Sequence, residues 1–197
     1  MSDLDLVSRA RTGDTAAFGE LVERHRTAVF RAALAVLGSP EDAEDVAQEA
    51  CVLAFRKLGG FREEASFRTW LLAIAWRHAL TRRRRLAGWL QSLRGLPGTV
   101  DRSGVAWEVP ADDPAAPGED AEQAVLRRER ASAVAAGIRA LPPKLRHCLL
   151  LAGSGDHSYE EIGAMVGAPV GTVKWRVSEA RRQVKARLAR EGWATHA

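Results

Sequence analysis

Little in this 197-residue chain suits covalent, metal or membrane chemistry. Its two cysteines, Cys51 and Cys148, lie in apparently helical stretches with no second ligand at metal spacing, so structural thiols are expected rather than a disulfide framework or a zinc site. No apolar run approaches the roughly 18 residues of a membrane span. The opening "MSDLDLVSRARTGD" is polar and acidic, unlike a signal peptide, so a cytoplasmic chain with no membrane insertion is expected. Aromatic residues make up 6% with a single tyrosine, and no stretch alternates like a strand; an all-α chain is expected. No cofactor motif is found: "GSG" at 153–155 is neither a nucleophile elbow nor a phosphate loop. His147, Cys148, Asp156 and His157 flank that turn and are the material an enzyme reading has to work with.

Basic charge is plentiful, and its distribution is uneven. Residues 1–94 carry a net +3, residues 95–122 a net −6 and residues 123–197 a net +7. Two basic ends around an acidic strap point to two lobes and a polyanionic partner. Residues 96–123, "LPGTVDRSGVAWEVPADDPAAPGEDAEQ", show no sustained period and are rich in Pro, Gly, Asp and Glu. A loop of this length inside one compact domain is unusual, so a linker between domains is the economical reading.

The front lobe reads as helices. Phe18, Leu21, Val22, His25, Val29, Ala33 and Val36 recur at three- and four-residue steps, and Gly38 stops that helix. Ser39 and Pro40 start the next, with acids suited to its positive end. Val46, Ala50 and Leu53 point inward there, and Glu44, Asp45, Gln48 and Glu49 outward. After the loop "GGFREEAS", a third helix places Phe67, Trp70, Leu71 and Ile74 on one side and is expected to end in four arginines, 82–85.

Near the other end, Ser158 and Glu161 stand in capping-box spacing, with Ile162, Met165 and Val166 as an apolar face. Gly163 is expected to permit a close helix crossing, Gly167 a left-handed cap, and Pro169 a stop. In the helix that follows, Val173, Val177, Ala180 and Val184 fall within about 60° of one another at 100° per residue. Lys174, Arg181 and Lys185 flank this stripe, while Thr172, Trp175, Arg176 and Glu179 are expected roughly opposite it. A short helix, a tight turn and a second helix with an exposed polar end form a helix-turn-helix pattern.

These motifs carry a resemblance. "SPEDAEDVAQEACVLAFRKLGGFREEASFRTWLLAIAWRHALTRRRR" resembles region 2 of the extracytoplasmic-function (ECF) sigma factors of the sigma-70 superfamily. "IRALPPKLRHCLLLAGSGDHSYEEIGAMVGAPVGTVKWRVSEARRQVKARL" resembles their region 4. The resemblance implies two helical domains, region 2 in residues 1–94 and region 4 in 124–197, joined by a flexible acidic linker over 95–123. It implies a promoter-specificity subunit of bacterial core RNA polymerase, held by an anti-sigma factor, with no catalytic residue, cofactor or metal. Asp45, Gln48 and Glu49 would dock on the coiled coil of the polymerase's largest subunit. The loop Phe61, Arg62, Glu63, Glu64 to Ser66 would capture an unstacked base of the −10 element. Arg77, His78, Thr81, Arg82 and Arg84 would line the upstream duplex. The last long helix would read the −35 element: Thr172 at its start, Arg176 to guanine, Trp175 to a thymine methyl, Glu179 to a cytosine amino group, with Lys174, Arg181 and Lys185 on phosphates.

The chain departs from the pattern in three places. Lys174-Trp175-Arg176 stands where Lys-Ser-Arg is common, Glu179 where arginine is common, and "LLAGSGDHSYEE" lacks the usual aromatic and acidic residues before Ser-Tyr. A sigma-like decoy that titrates an anti-sigma factor without directing transcription is the alternative these departures favour.

Overall fold

The structure is a computed structural model that describes residues 1–94 and 121–193, with side chains placed for 1–87 and 123–193. The linker reading of residues 95–123 lies outside the described residues except for its last three. Among the described residues there are eight α-helices and no strand. None of these helices is long and apolar enough to cross a membrane.

Helix α1 (Asp3–Arg11) begins in a capping box between Ser2 and Asp5 and buries Leu6, Val7 and Ala10. α2 (Thr15–Leu37) is capped by Asp14 and closed by Gly38 in the left-handed conformation, φ 77°. α3 (Pro40–Lys57) starts at the Ser39 cap with Pro40 in its first turn, and a 3-10 turn, Leu58–Gly60, follows it. α4 spans Phe67–Arg94. The four arginines therefore sit inside this helix and not at its end, because Leu86 and Ala87 continue it and the single Gly88 costs only about 1 kcal/mol.

α2 lies at the centre of these four helices, against α1, α3 and α4. Small residues line the buried faces: Ala28, Ala32 and Ala33 of α2, Ala43, Ala47, Ala50 and Ala54 of α3, Ala75 and Ala79 of α4. Short side chains let helix axes come close, so a bundle of modest side-chain volume still packs tightly.

The second group is α5 (Ala121–Ala140), α6 (Pro143–Gly153), α7 (Tyr159–Val166) and α8 (Val170–Arg190). α5 begins a turn earlier than the sequence boundary, in Ala-Glu-Gln, all good helix formers. α8 packs against α5, α6 and α7, with Leu141, Leu145 and Ala180 forming a small core of their own.

The two groups share one continuous core. Cys148 and Leu151 of α6, Ile162 and Met165 of α7, and Val173 and Val177 of α8 join the cluster that α1–α4 build. Polar ties line this seam. Arg31 pairs with Asp156 and donates to the Ser154 carbonyl at 3.1 Å. Arg68 Nε meets Glu161 Oε1 at 2.7 Å. Arg83 is buried and donates to the Val36 carbonyl at 3.3 Å and to His147 Nε2 at 3.2 Å. A guanidinium only donates, so His147 Nε2 must accept, and the imidazole is neutral. Burial first, then Arg83 and Arg146, pushes its pKa down to about 3. Trp76 stands edge-on to that ring with centroids 5.1 Å apart, which makes it a core residue of the seam.

Candidate nucleic-acid interface

The helix-turn-helix is built by local chemistry. Ser158 Oγ accepts from the Glu161 amide at 3.1 Å while Glu161 Oε2 accepts from the Ser158 amide at 2.9 Å, starting α7 where the sequence places it. Gly167 ends α7 in the left-handed conformation, φ 64°. Gly163 differs from its expected role. A Cβ there would stand 2.7 Å from the Ala168 carbonyl oxygen, so glycine makes room for the turn's own backbone more than for a crossing helix. The Ala168 amide donates back to the Gly163 carbonyl at 3.0 Å, locking the turn that aims α8.

α8 buries Val173, Val177 and Ala180 as the stripe requires, with Val184 half-buried. Lys174, Arg181 and Lys185 are exposed along its flank, and Lys174 Nζ sits 5.9 Å from the Tyr159 ring centroid. Trp175 is 61% exposed. Thr172 and Arg176 are half-buried, and the Arg176 guanidinium reaches back to the Cys148 thiol, whose pKa burial nevertheless raises. Glu179 turns along the helix: Arg182 Nε and Nη2 donate to its two oxygens at 2.8 and 2.7 Å, and Gln183 Nε2 at 2.7 Å. Its acceptors are therefore engaged within α8, not held outward as a cytosine contact requires. The sequence reading overlooked Arg182, although the i, i+3 spacing from Glu179 was the available signal.

In the first helical group, the loop before α4 divides into an anchored part and an open part. Phe61 is buried, its ring 5.9 Å from Phe67 and 5.2 Å from Trp70, so its side chain is the floor of the loop and not a contact for an incoming base. Arg62, Glu63, Glu64 and Ser66 are exposed. Ser66 Oγ accepts from the Thr69 amide at 3.1 Å, a helix N-cap bond. Glu63 holds a left-handed backbone, φ 61°, and pairs with Arg11 of α1 at 2.9 Å.

The expected DNA-facing set on α4 separates into two. Arg77, Thr81 and Arg84 are exposed on one face. His78 and Arg82 lean on α3 instead: His78 Nε2 lies 2.5 Å from Glu49 Oε2, and Arg82 approaches Asp42 at 3.3 Å and both Asp45 and Glu49 at 3.8 Å. The hydrogen bond with His78 lowers the Glu49 pKa. Arg83 is committed to the seam, so of the arginine run Arg84 and Arg85 are the exposed members.

Asp45, Gln48 and Glu49 are exposed on α3, forming one acidic face. One and two turns further along, Val52 and Phe55 are exposed and, with Thr15, Phe18 and Cys51, line a shallow apolar groove. The sequence reading stopped at Glu49, yet Val52 and Phe55 continue the same helical register. A helix-turn-helix with an exposed basic flank, a loop before a basic helix and an exposed acidic face on α3 occur in one chain, and the sequence comparisons account for that combination. The pattern of sigma-70 region 2 matches residues 21–89, and that of sigma-70 region 4 matches residues 132–184. The chain belongs to the sigma-70 family. It is 34% identical over 187 residues to the RNA polymerase sigma-H factor of Pseudomonas aeruginosa, covering 92% of this chain and 91% of that protein. It is 33% identical over 185 residues to the ECF RNA polymerase sigma-E factor of Escherichia coli K12, covering 93% of each. Among solved structures, that of CnrH in complex with the cytosolic domain of CnrY aligns with a TM-score of 0.63 and 26% identity, over 95% of this chain and 97% of that one. α2–α4 thus hold region 2, and α7 with most of α8 lies in region 4.

Proposed function

We propose that this chain is an ECF sigma factor: it binds bacterial core RNA polymerase in the cytoplasm and directs promoter-specific initiation, acting by binding and not by catalysis. The observation that carries the reading is the pairing of an exposed helix-turn-helix in region 4 with an exposed acidic face on α3 of region 2.

Asp45, Gln48 and Glu49 dock on the polymerase, with Val52 and Phe55 supplying apolar area beside them. The open part of the loop, Arg62 to Ser66, receives an extruded base of the −10 element, a step that costs a few kcal/mol of unstacking and needs a pocket to offset it. Arg77, Thr81 and Arg84 follow the upstream phosphates. α8 enters the major groove at the −35 element, with Lys174, Arg181 and Lys185 on its phosphate walls. The domain limits 1–94 and 124–197 serve these two tasks. An anti-sigma factor restrains the protein; the similar chain CnrH was likewise solved in complex with a second protein, the cytosolic domain of CnrY.

Run-off transcription from a randomised promoter library, with core polymerase plus or minus this protein, tests the reading. New transcripts sharing spaced −35 and −10 sequences are expected. Polymerase binding without new transcripts overturns it in favour of a decoy that titrates an anti-sigma factor.

A further inference from the structure

Glu179 and Arg182 form a unit on the exposed side of α8. The guanidinium lies against the carboxylate through Nε and Nη2, and Gln183 Nε2 donates to Oε1, the oxygen that Nη2 also meets. The two side chains differ in access: Glu179 is 17% exposed and Arg182 72%. The Arg182 bonds, then that of Gln183, draw the Glu179 pKa down to about 2, so the pair stays charged at any working pH.

A guanidinium carries five N–H donors, and this contact uses two. The donors left over lie on the edge formed by Nη1 and Nη2, which the carboxylate turns away from itself. At 100° per residue Arg182 falls within about 20° of Trp175, on the line opposite the buried Val173, Val177 and Ala180. Lys174, Arg181 and Lys185 stand roughly 70–110° round the helix from that line. A helix in the major groove meets base edges along its outermost line and phosphates along its flanks. Arg182 occupies the first kind of position and the three other cations the second.

The ion pair favours the base over the backbone as ligand. A phosphate contact depends mainly on net charge, and Glu179 already answers much of the charge on Arg182. A guanine contact depends on two parallel donors held in direction, which a bidentate carboxylate supplies in advance.

We propose that Arg182 reads a guanine O6/N7 edge in the −35 element and that Glu179 is its positioning residue. This rests on the reading of α8 as the promoter-reading helix. It also accounts for an acid on a face built for DNA: the acid aims the reader.

Polymerase holoenzyme formed with the full chain, wild type or Arg182→Ala, Arg182→Lys or Glu179→Gln, is put through selection on a randomised −35 library at several salt concentrations. Wild type is expected to enrich a motif containing a G·C pair. In Arg182→Ala and Arg182→Lys the preference at that pair falls at least about tenfold, while the other −35 positions and the −10 sequence are unchanged. Glu179→Gln relaxes the same position yet binds unrelated duplex more tightly, because it releases a positive charge. A uniform loss of affinity in Arg182→Ala with the motif intact overturns the assignment, as does full preference in Arg182→Lys, since charge alone would then suffice. Should wild type enrich no −35 sequence, the promoter-reading function itself falls, and this assignment with it.

Discussion

Arg11 of α1 holds Glu63 in the loop before α4, its Nη1 donating to Oε1 at 2.9 Å across 52 residues of chain. The same guanidinium donates to the carbonyls of Phe61 and Leu58, and its charge lies 5.8 Å from the Phe61 ring centroid. A helix outside the matched region 2 segment thus clamps the loop proposed above to receive a −10 base. The clamp also compensates a left-handed Glu63, a conformation that costs a non-glycine residue about 1 kcal/mol.

Arg11→Ala is expected to leave global stability within about 1 kcal/mol, since exposed ion pairs contribute little. Promoter melting should fall about tenfold as the loop loses its set shape, while binding to a duplex carrying only the −35 element stays at the wild-type level. Permanganate reactivity of the −10 region, compared with gel-shift affinity for the −35 duplex, separates the two effects. Equal melting by both proteins would show that Arg11 is irrelevant to the loop.

His147 sets a pH dependence. Its pKa is about 3 in the fold against 6.5 unperturbed, so the neutral ring is favoured and the unfolded chain binds the extra proton. That stability is complete above pH 6.5 and is lost as pH falls from there toward 3, by up to about 1.4 kcal/mol per pH unit. His157, buried beside Arg68, shifts in the same direction. Urea unfolding at pH 7.5 and 5.5 should show a loss of more than about 1 kcal/mol for wild type and a smaller loss for His147→Gln. Identical losses would mean that His147 does not titrate through the seam.

Gly163→Ala should destabilise the protein by about 1–3 kcal/mol, because the added methyl meets a backbone oxygen that cannot rotate away. Gly171→Ala is the control: its Cβ meets nothing within 4 Å, and it should be neutral or slightly stabilising. Chemical denaturation of both variants checks this, and a neutral Gly163→Ala would contradict the tight turn.

Glu49→Lys should weaken core polymerase binding more than about tenfold by placing a cation in the acidic face. Isothermal titration against core polymerase measures it, and unchanged affinity would remove Glu49 from the docking set.

The two exposed and engaged arginines of α4 should differ in salt dependence. Arg84→Ala is expected to reduce the slope of log affinity against log salt by about one. Arg82→Ala should change it less, because Asp42, Asp45 and Glu49 already share that charge. Equal changes in slope would show that the acids do not engage Arg82 in solution.

Elements with a cap signal followed by a clear apolar period were legible from sequence: the Ser39 start of α3 and the Ser158–Glu161 box of α7. Their determinants lie within four residues of one another. α1 was not legible although Ser2 and Asp5 stand in capping-box spacing, because nine residues with three buried side chains leave almost no apolar period to support that cap. The length of α4 was misjudged because an arginine run resembles a helix end, although Arg83 is buried and serves as seam material. Reading each residue of α8 for its outward direction concealed that Glu179 spends its oxygens on Arg182. Trp76 against His147, and Arg11 over the Phe61 ring, are pairings between distant parts of the chain, which periodicity does not encode.

The shared core bears on how such proteins can be recombined. Arg31, Arg68 and Arg83 from one half meet Asp156, Glu161 and His147 from the other across one continuous apolar cluster. Exchanging region 4 with that of a relative lacking these three acceptors would leave the arginines unanswered at this seam, even if both DNA-reading surfaces were transplanted whole. Hybrids of this chain are best cut so that each arginine travels with its acceptor, and the six residues form the compatibility code a breeder of chimaeric sigma factors would need to match.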